Sequence, residues 1–157
     1  GTHYILIELP FEFYPFYAEE VLFNLQLKSL RPIVVHPERN LAIQEKPEIL
    51  ANLVSKGALA QITAGSISGI LGKEHQKAAR ELLQQNLVHI IASDGHTARG
   101  RRTPILSHGV AAVAKLIGDE AAHRMVEDIP KAILQDETPE VDGLSRAPKR
   151  RWWNLRQ

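Results

Sequence analysis

Three short apolar runs in this sequence end in, or next to, residues able to bind a metal ion. In VHIIASDGHTARGRR, residues 88–102, the run stops at Asp94-Gly95-His96 and is followed by Arg99, Arg101 and Arg102. In PIVVHPERN, residues 32–40, a similar run stops at His36, with Arg39 shortly after it. Glu8 stands near the end of a third, YILIEL, residues 4–9. Two carboxylates and two imidazoles make a mixed oxygen and nitrogen donor set, suited to manganese, iron(II) or zinc and more weakly to magnesium. Arginines beside such a set imply an anionic oxygen substrate, most simply a phosphate gripped in bidentate fashion. The chemistry expected is phosphoester hydrolysis by metal-bound hydroxide, with arginines stabilising charge on the phosphoryl oxygens. The chain has no cysteine, so a thiolate mechanism is excluded.

Each piece alone has a plainer reading. Asp-x-His can be a turn aspartate beside a surface histidine, His36 a hydrogen-bonded structural histidine, and Glu8 an edge-strand carboxylate facing water. What joins them is the order of elements that must position them. Residues 4–9, 32–36, 59–63 and 88–92 read as short strands, rich in apolar and β-branched residues and suited to burial on both faces. Between them, residues 16–30, 47–56 and 73–85 read as helices, with Pro15 near the first turn of one and Gly57 closing another. Residues 107–117, 119–126 and 130–134 complete the helical set. Strand–helix alternation specifies a parallel sheet with right-handed crossovers, either doubly wound or part of a (β/α) barrel. Glu8, His36 and the Asp94/His96 pair all fall at carboxyl ends of different strands, the place where barrels gather their active sites. In an extended backbone Asp94 and His96 point the same way, with Gly95 leaving the space between them open. Gln61, Thr63 and Ser66 could hydrogen-bond into the same mouth, whereas His89 reads as packed and His75, His108 and His123 as solvated.

Composition removes several other classes of function. The chain has 157 residues, 44% of them hydrophobic, and a net charge of +1, enough for one compact domain with no polarity that demands nucleic acid or membrane. No apolar run approaches the ~20 residues of a spanning helix. The absence of cysteine is compatible with a cytoplasmic setting, which is the expectation. The chain begins with Gly1 and opens directly into a strand, so the expectation is also that units normally preceding it are missing. Strand 4–9 would then present an unpaired apolar edge and favour self-association. Residues 136–157 read as a polar connection followed by a basic tail carrying Trp152 and Trp153.

The strings LIELPF, VVHPERN, LAQITAGSISG and LVHIIASDGHTARGR together resemble the metal-dependent protein-tyrosine phosphatases of bacterial capsule and exopolysaccharide operons, members of the polymerase and histidinol phosphatase (PHP) superfamily. The resemblance runs from about residue 4 to residue 134. It implies the C-terminal four β/α units of a distorted (β/α)7 barrel over residues 1–135, the N-terminal units being absent. It also implies a multinuclear metal cluster, often manganese, which dephosphorylates the tyrosine-rich tail of a partner kinase controlling polysaccharide export. Carried over position by position, Glu8, His36, Asp94 and His96 match metal ligands, and Arg39 and Arg101 match phosphate-contacting arginines. Asp94, Arg39 and Arg101 would then form the catalytic set, with Arg99 and Arg102 unassigned. The family's His-x-His strand and its following acidic ligand have no counterpart here, and the single His3 does not replace them. Two further readings stand beside this one: another PHP phosphoesterase, acting on histidinol phosphate or a nucleotide, and an inactive remnant serving as an interaction module.

Overall fold

The computed structural model describes residues 1–100 and 103–142. Its element order is β1 (Tyr4–Glu8), α1 (Ala18–Leu27), β2 (Arg31–Val35), a 3₁₀ turn (Pro37–Arg39), α2 (Leu41–Glu45) and α3 (Glu48–Ser55). There follow β3 (Leu59–Thr63), α4 (Ala64–Ile67), α5 (Lys73–Gln84), β4 (Ile90–Ala92), α6 (Ser107–Ile117), α7 (Asp119–Val126) and α8 (Asp128–Leu134). The strands form one parallel sheet in the order β1-β2-β3-β4. The mixed α/β architecture read from the alternation of elements is therefore present. The order is strictly sequential and never reverses, whereas a doubly wound sheet has a reversal at its switch point.

The two faces of the sheet differ. Register places Val34 beside Ala60, and Ile62 beside Ile91, and all four are sealed at 0–2% exposure. Burying side chains of this size is worth about 1.5–3 kcal/mol for each of the larger ones. The opposite face carries Leu6 and Glu8 from β1, then Ile33, Val35, Gln61, Thr63, Ile90 and Ala92. There Ile33, Val35 and Ile90 are buried while Leu6 is 61% exposed. Burial of strand 4–9 on both faces does not occur among the described residues, where β1 has a single neighbouring strand and its Leu6/Glu8 face is open. Helix α1 is shorter than its apolar content predicts: Ala18 and Leu22 are buried, while Val21 and Leu27 face solvent.

β4 also begins later than its apolar run suggests, for a definite chemical reason. The Ala60 amide donates to Nδ1 of His89 at 3.0 Å, so an imidazole takes up a backbone donor just ahead of the strand. Burial lowers the pKa of His89 to about 4, consistent with a neutral ring that accepts through Nδ1. Farther along, a Cβ on Gly109 of α6 would lie 2.6 Å from Ala64, so the approach of α6 to the end of β3 requires glycine. Residues past α8 return to the start of the sheet. The His3 amide donates to Asp136 Oδ1 at 2.8 Å, the Tyr4 hydroxyl to the Glu137 carbonyl, and Arg31 to the Thr138 hydroxyl. Among the described residues no helix is long and apolar enough to cross a membrane. The basic tail falls outside them, as do Arg101 and Arg102.

Candidate functional site

At the carboxyl ends of β1, β2 and β4 a chain of contacts joins most of the residues singled out above. Oε1 of Glu8 lies 3.4 Å from Nε2 of His36. Three residues past His36, Nη1 of Arg39 lies 3.2 Å from Oδ2 of Asp94, across 55 residues of sequence. Nδ1 of His96 lies 2.8 Å from the Asp94 carbonyl oxygen and 3.6 Å from Asp94 Oδ1. The ring of Phe11 spans the two halves, its centroid 5.4 Å from that of His36 and 4.4 Å from the guanidinium carbon of Arg39. Arg99 is described and exposed, and Arg101 lies outside the described residues.

Local backbone conformation sets these positions. Among the described residues five non-glycine residues have positive φ: Ser29, His36, Asn86, Asp94 and Asp136. Three follow the ends of α1, α5 and α8, where a left-handed residue closes the helix. His36 (φ 37°) and Asp94 (φ 51°) follow strands and have no such reason. Left-handed backbone at a non-glycine residue costs of order 1–3 kcal/mol and clusters at functional sites. The extended geometry expected to align Asp94 with His96 is therefore not what joins them. Asp94 turns the chain, and the imidazole returns onto its carbonyl. Gly95 is required there, since a Cβ would lie 2.9 Å from the Pro104 backbone.

Burial divides the donors. The His36 side chain is 8% exposed and that of Glu8 is 62% exposed, so Glu8 is a carboxylate open to solvent on one side and facing an imidazole on the other. Burial depresses the pKa of His36, with the Glu8 carboxylate pulling the opposite way. Arg39 and Asp94 are mostly enclosed, at 19% and 17%, while His96 is 56% exposed. Among the described residues no group of three or more His, Asp or Glu stands close enough to hold one metal ion. The donors come as two pairs, Glu8 with His36 and Asp94 with His96, and Arg39 bonds to the second.

Two residues of the same segment escaped sequence reasoning. Glu38 is fully buried and its Oε1 accepts from the Thr63 amide at 2.9 Å, tying the turn after β2 to the end of β3. Burial raises its pKa, opposed by the Thr63 N–H. Thr63 and Ser66, expected to reach the open mouth, are buried in this region instead. Asn40 caps α2 by accepting from the Ile43 amide, and its Nδ2 donates to the carbonyls of Pro10 and Phe13 at 2.5 and 2.9 Å. A sequence signal existed for the cap, an asparagine directly before Leu-Ala-Ile, but none for the hold on the loop after β1.

Comparison with known proteins adds to this geometry. The sequence model described as "Capsular polysaccharide synthesis, CpsB/CapC" matches residues 1–135. The tyrosine-protein phosphatase YwqE of Bacillus subtilis (strain 168) is 40% identical over 137 residues, which are 87% of this chain and 53% of that protein. The tyrosine-protein phosphatase CpsB of Streptococcus pneumoniae is 29% identical over 121 residues, 74% of this chain and 49% of that one. Crystal structures of YwqE and CpsB, described as metal-dependent tyrosine phosphatases, supply a structural match. It has a TM-score of 0.83 and 39% identity, covering 88% of this chain and 56% of the other. The chain thus spans about half the length of the curated relatives it matches.

Proposed function

The chain belongs to the CpsB/CapC family of capsular polysaccharide synthesis, and from that premise we propose that it is part of a metal-dependent protein-tyrosine phosphatase. The carrying observation is the run of contacts from Glu8 through His36 and Arg39 to Asp94 and His96 at the ends of three strands. In this reading Glu8, His36, Asp94 and His96 hold divalent metal, manganese before iron(II) or zinc and magnesium last. Their donor chemistry fits such an ion, and their arrangement in two pairs fits a multinuclear site completed by further donors in the whole protein. Bound there, the metal supplies positive charge against phosphoryl oxygens and lowers the pKa of water.

This chain's own residues do the rest. Arg39 offers a fixed guanidinium fork to two phosphoryl oxygens, where negative charge accumulates as the ester bond breaks. Its aim is set by the stack on Phe11 and the contact with Asp94. Arg101 is proposed for the same role. His36, with Glu8 at its Nε2, is held by the surrounding burial in one orientation. The sequential strand order supports an arc of a (β/α) barrel over residues 1–135, and residues 136–157 are proposed as connection and tail. The substrate proposed is a phosphotyrosine-bearing tail of a bacterial tyrosine kinase in the cytoplasm, which links turnover to capsule or exopolysaccharide synthesis.

The test is hydrolysis by the whole protein of a phosphotyrosine peptide, histidinol phosphate and a nucleoside monophosphate, with manganese and then with chelator. Chelator-sensitive turnover fastest on the peptide is expected. Faster turnover of either small phosphate would favour the other PHP phosphoesterases, and no turnover the non-enzymatic reading. For the present 157-residue chain alone, the free edge of β1 together with Leu6, Val21, Phe23 and Leu27 predicts self-association. Light scattering should report dimers or larger species. A monodisperse monomer at high concentration would refute that expectation.

A further inference from the structure

The loop between β1 and α1 carries an exposed aromatic ring beside the arginine proposed to hold phosphate. Phe11 is 39% exposed, although its ring touches both His36 and Arg39. Its backbone is pinned on both sides: the Leu41 amide donates to the Phe11 carbonyl at 2.7 Å, and Asn40 Nδ2 donates to the carbonyls of Pro10 and Phe13. Asn40 is itself 1% exposed and anchored by its cap on α2, so the ring is presented from a rigid support. A guanidinium set over an aromatic face can still bond phosphate oxygens through its N–H edge, and Arg39 lies over Phe11 with Nη1 on Asp94. A phosphate held by Arg39 would have its ester group within reach of the exposed part of the Phe11 ring, which lies against both Arg39 and His36.

We infer that Phe11 is the specificity-determining residue for the alcohol part of the substrate, selecting aryl over alkyl phosphomonoesters by ring-to-ring contact. The inference rests on the phosphatase reading above and deepens it. An aromatic alcohol gains an offset or edge contact with Phe11, whereas an alkyl chain gains only partial burial. The ring also keeps Arg39 in place, so loss of affinity for every phosphate would by itself say nothing about selection. The informative quantity is the ratio between aryl and alkyl ligands.

In the whole protein with its divalent metal, kcat/KM for phenyl phosphate over ethyl phosphate would be measured for the parent, Phe11→Leu and Phe11→Trp. Alongside it, the binding of phenylphosphonate over methylphosphonate would be measured by calorimetry, which needs no turnover. Both ratios should fall roughly five- to tenfold in Phe11→Leu, the scale of one aromatic pair, mainly through KM, and be retained in Phe11→Trp. Unchanged ratios in Phe11→Leu, or equal weakening toward aryl and alkyl ligands, would overturn the inference and leave Phe11 as a support for Arg39. If the parent hydrolysed neither ester, the phosphatase reading would fall, and the phosphonate ratio would still decide whether Phe11 selects rings.

Discussion

Asp94→Ala in the whole protein is expected to lose bound divalent metal and at least ~100-fold of the turnover on a phosphotyrosine peptide, both together. Asp94 joins two groups: its carboxylate faces Arg39, and both that carboxylate and its carbonyl face His96. Removing it deletes an anionic donor and leaves Arg39, only 19% exposed, without that carboxylate. Asp94→Asn separates these effects, because the amide oxygen can still accept from Arg39 while the negative charge is gone. Metal analysis of each purified variant beside its rate is the measurement. An Asp94→Ala protein that kept both its metal and its activity would remove Asp94 from the metal site.

Arg39→Ala should lower turnover by about 100-fold, the usual scale for deleting one charged group aimed at developing oxyanion charge, without lowering metal content. The geometry makes this sharper than a deletion argument alone. Arg39 meets the Asp94 carboxylate as a cation, so its loss removes a positive charge from beside that carboxylate rather than a donor from any metal. Arg39→Lys should rescue little, because an ammonium cannot reproduce the fork that bonds two phosphoryl oxygens or the guanidinium's contact over the Phe11 ring. The same metal analysis and peptide assay decide it. Loss of metal in Arg39→Ala, or full activity in Arg39→Lys, would contradict the division between holding metal and holding phosphate.

The parts of this molecule that sequence could specify are those with a repeating physical signature. β2 and β3 stand where short apolar runs meet helix-ending residues, and α6 and α7 have the expected bounds because Gly118 separates two amphipathic periods. The 3₁₀ turn Pro37–Arg39 and the single turn α4 are too short to show any period. Yet they carry Glu38 and Ser66, the buried polar groups at the ends of β2 and β3. That His36 and Asp94 come to the same end of the sheet could be read from strand ends. That both have left-handed backbone could not, because only the packing around them holds that conformation. β1 shows a different limit. Its composition says that it can be buried, while exposure of Leu6 depends on what lies beside the strand, which composition does not contain.

The contacts from His3, Tyr4 and Arg31 to residues 136–138 join positions up to 133 apart in sequence. Loop-closure entropy grows only with the logarithm of length, so the distance itself is inexpensive. Its consequence lies in how the molecule opens. Among the described residues β1 has one neighbouring strand, and it is tethered at its amino end by the segment after α8 and at its carboxyl end by the approach of Glu8 to His36. A fluctuation that releases residues 136–138 therefore loosens the strand that carries Glu8. Residues 136–138 and one edge of the candidate site belong to a single opening unit, below the free energy of global unfolding.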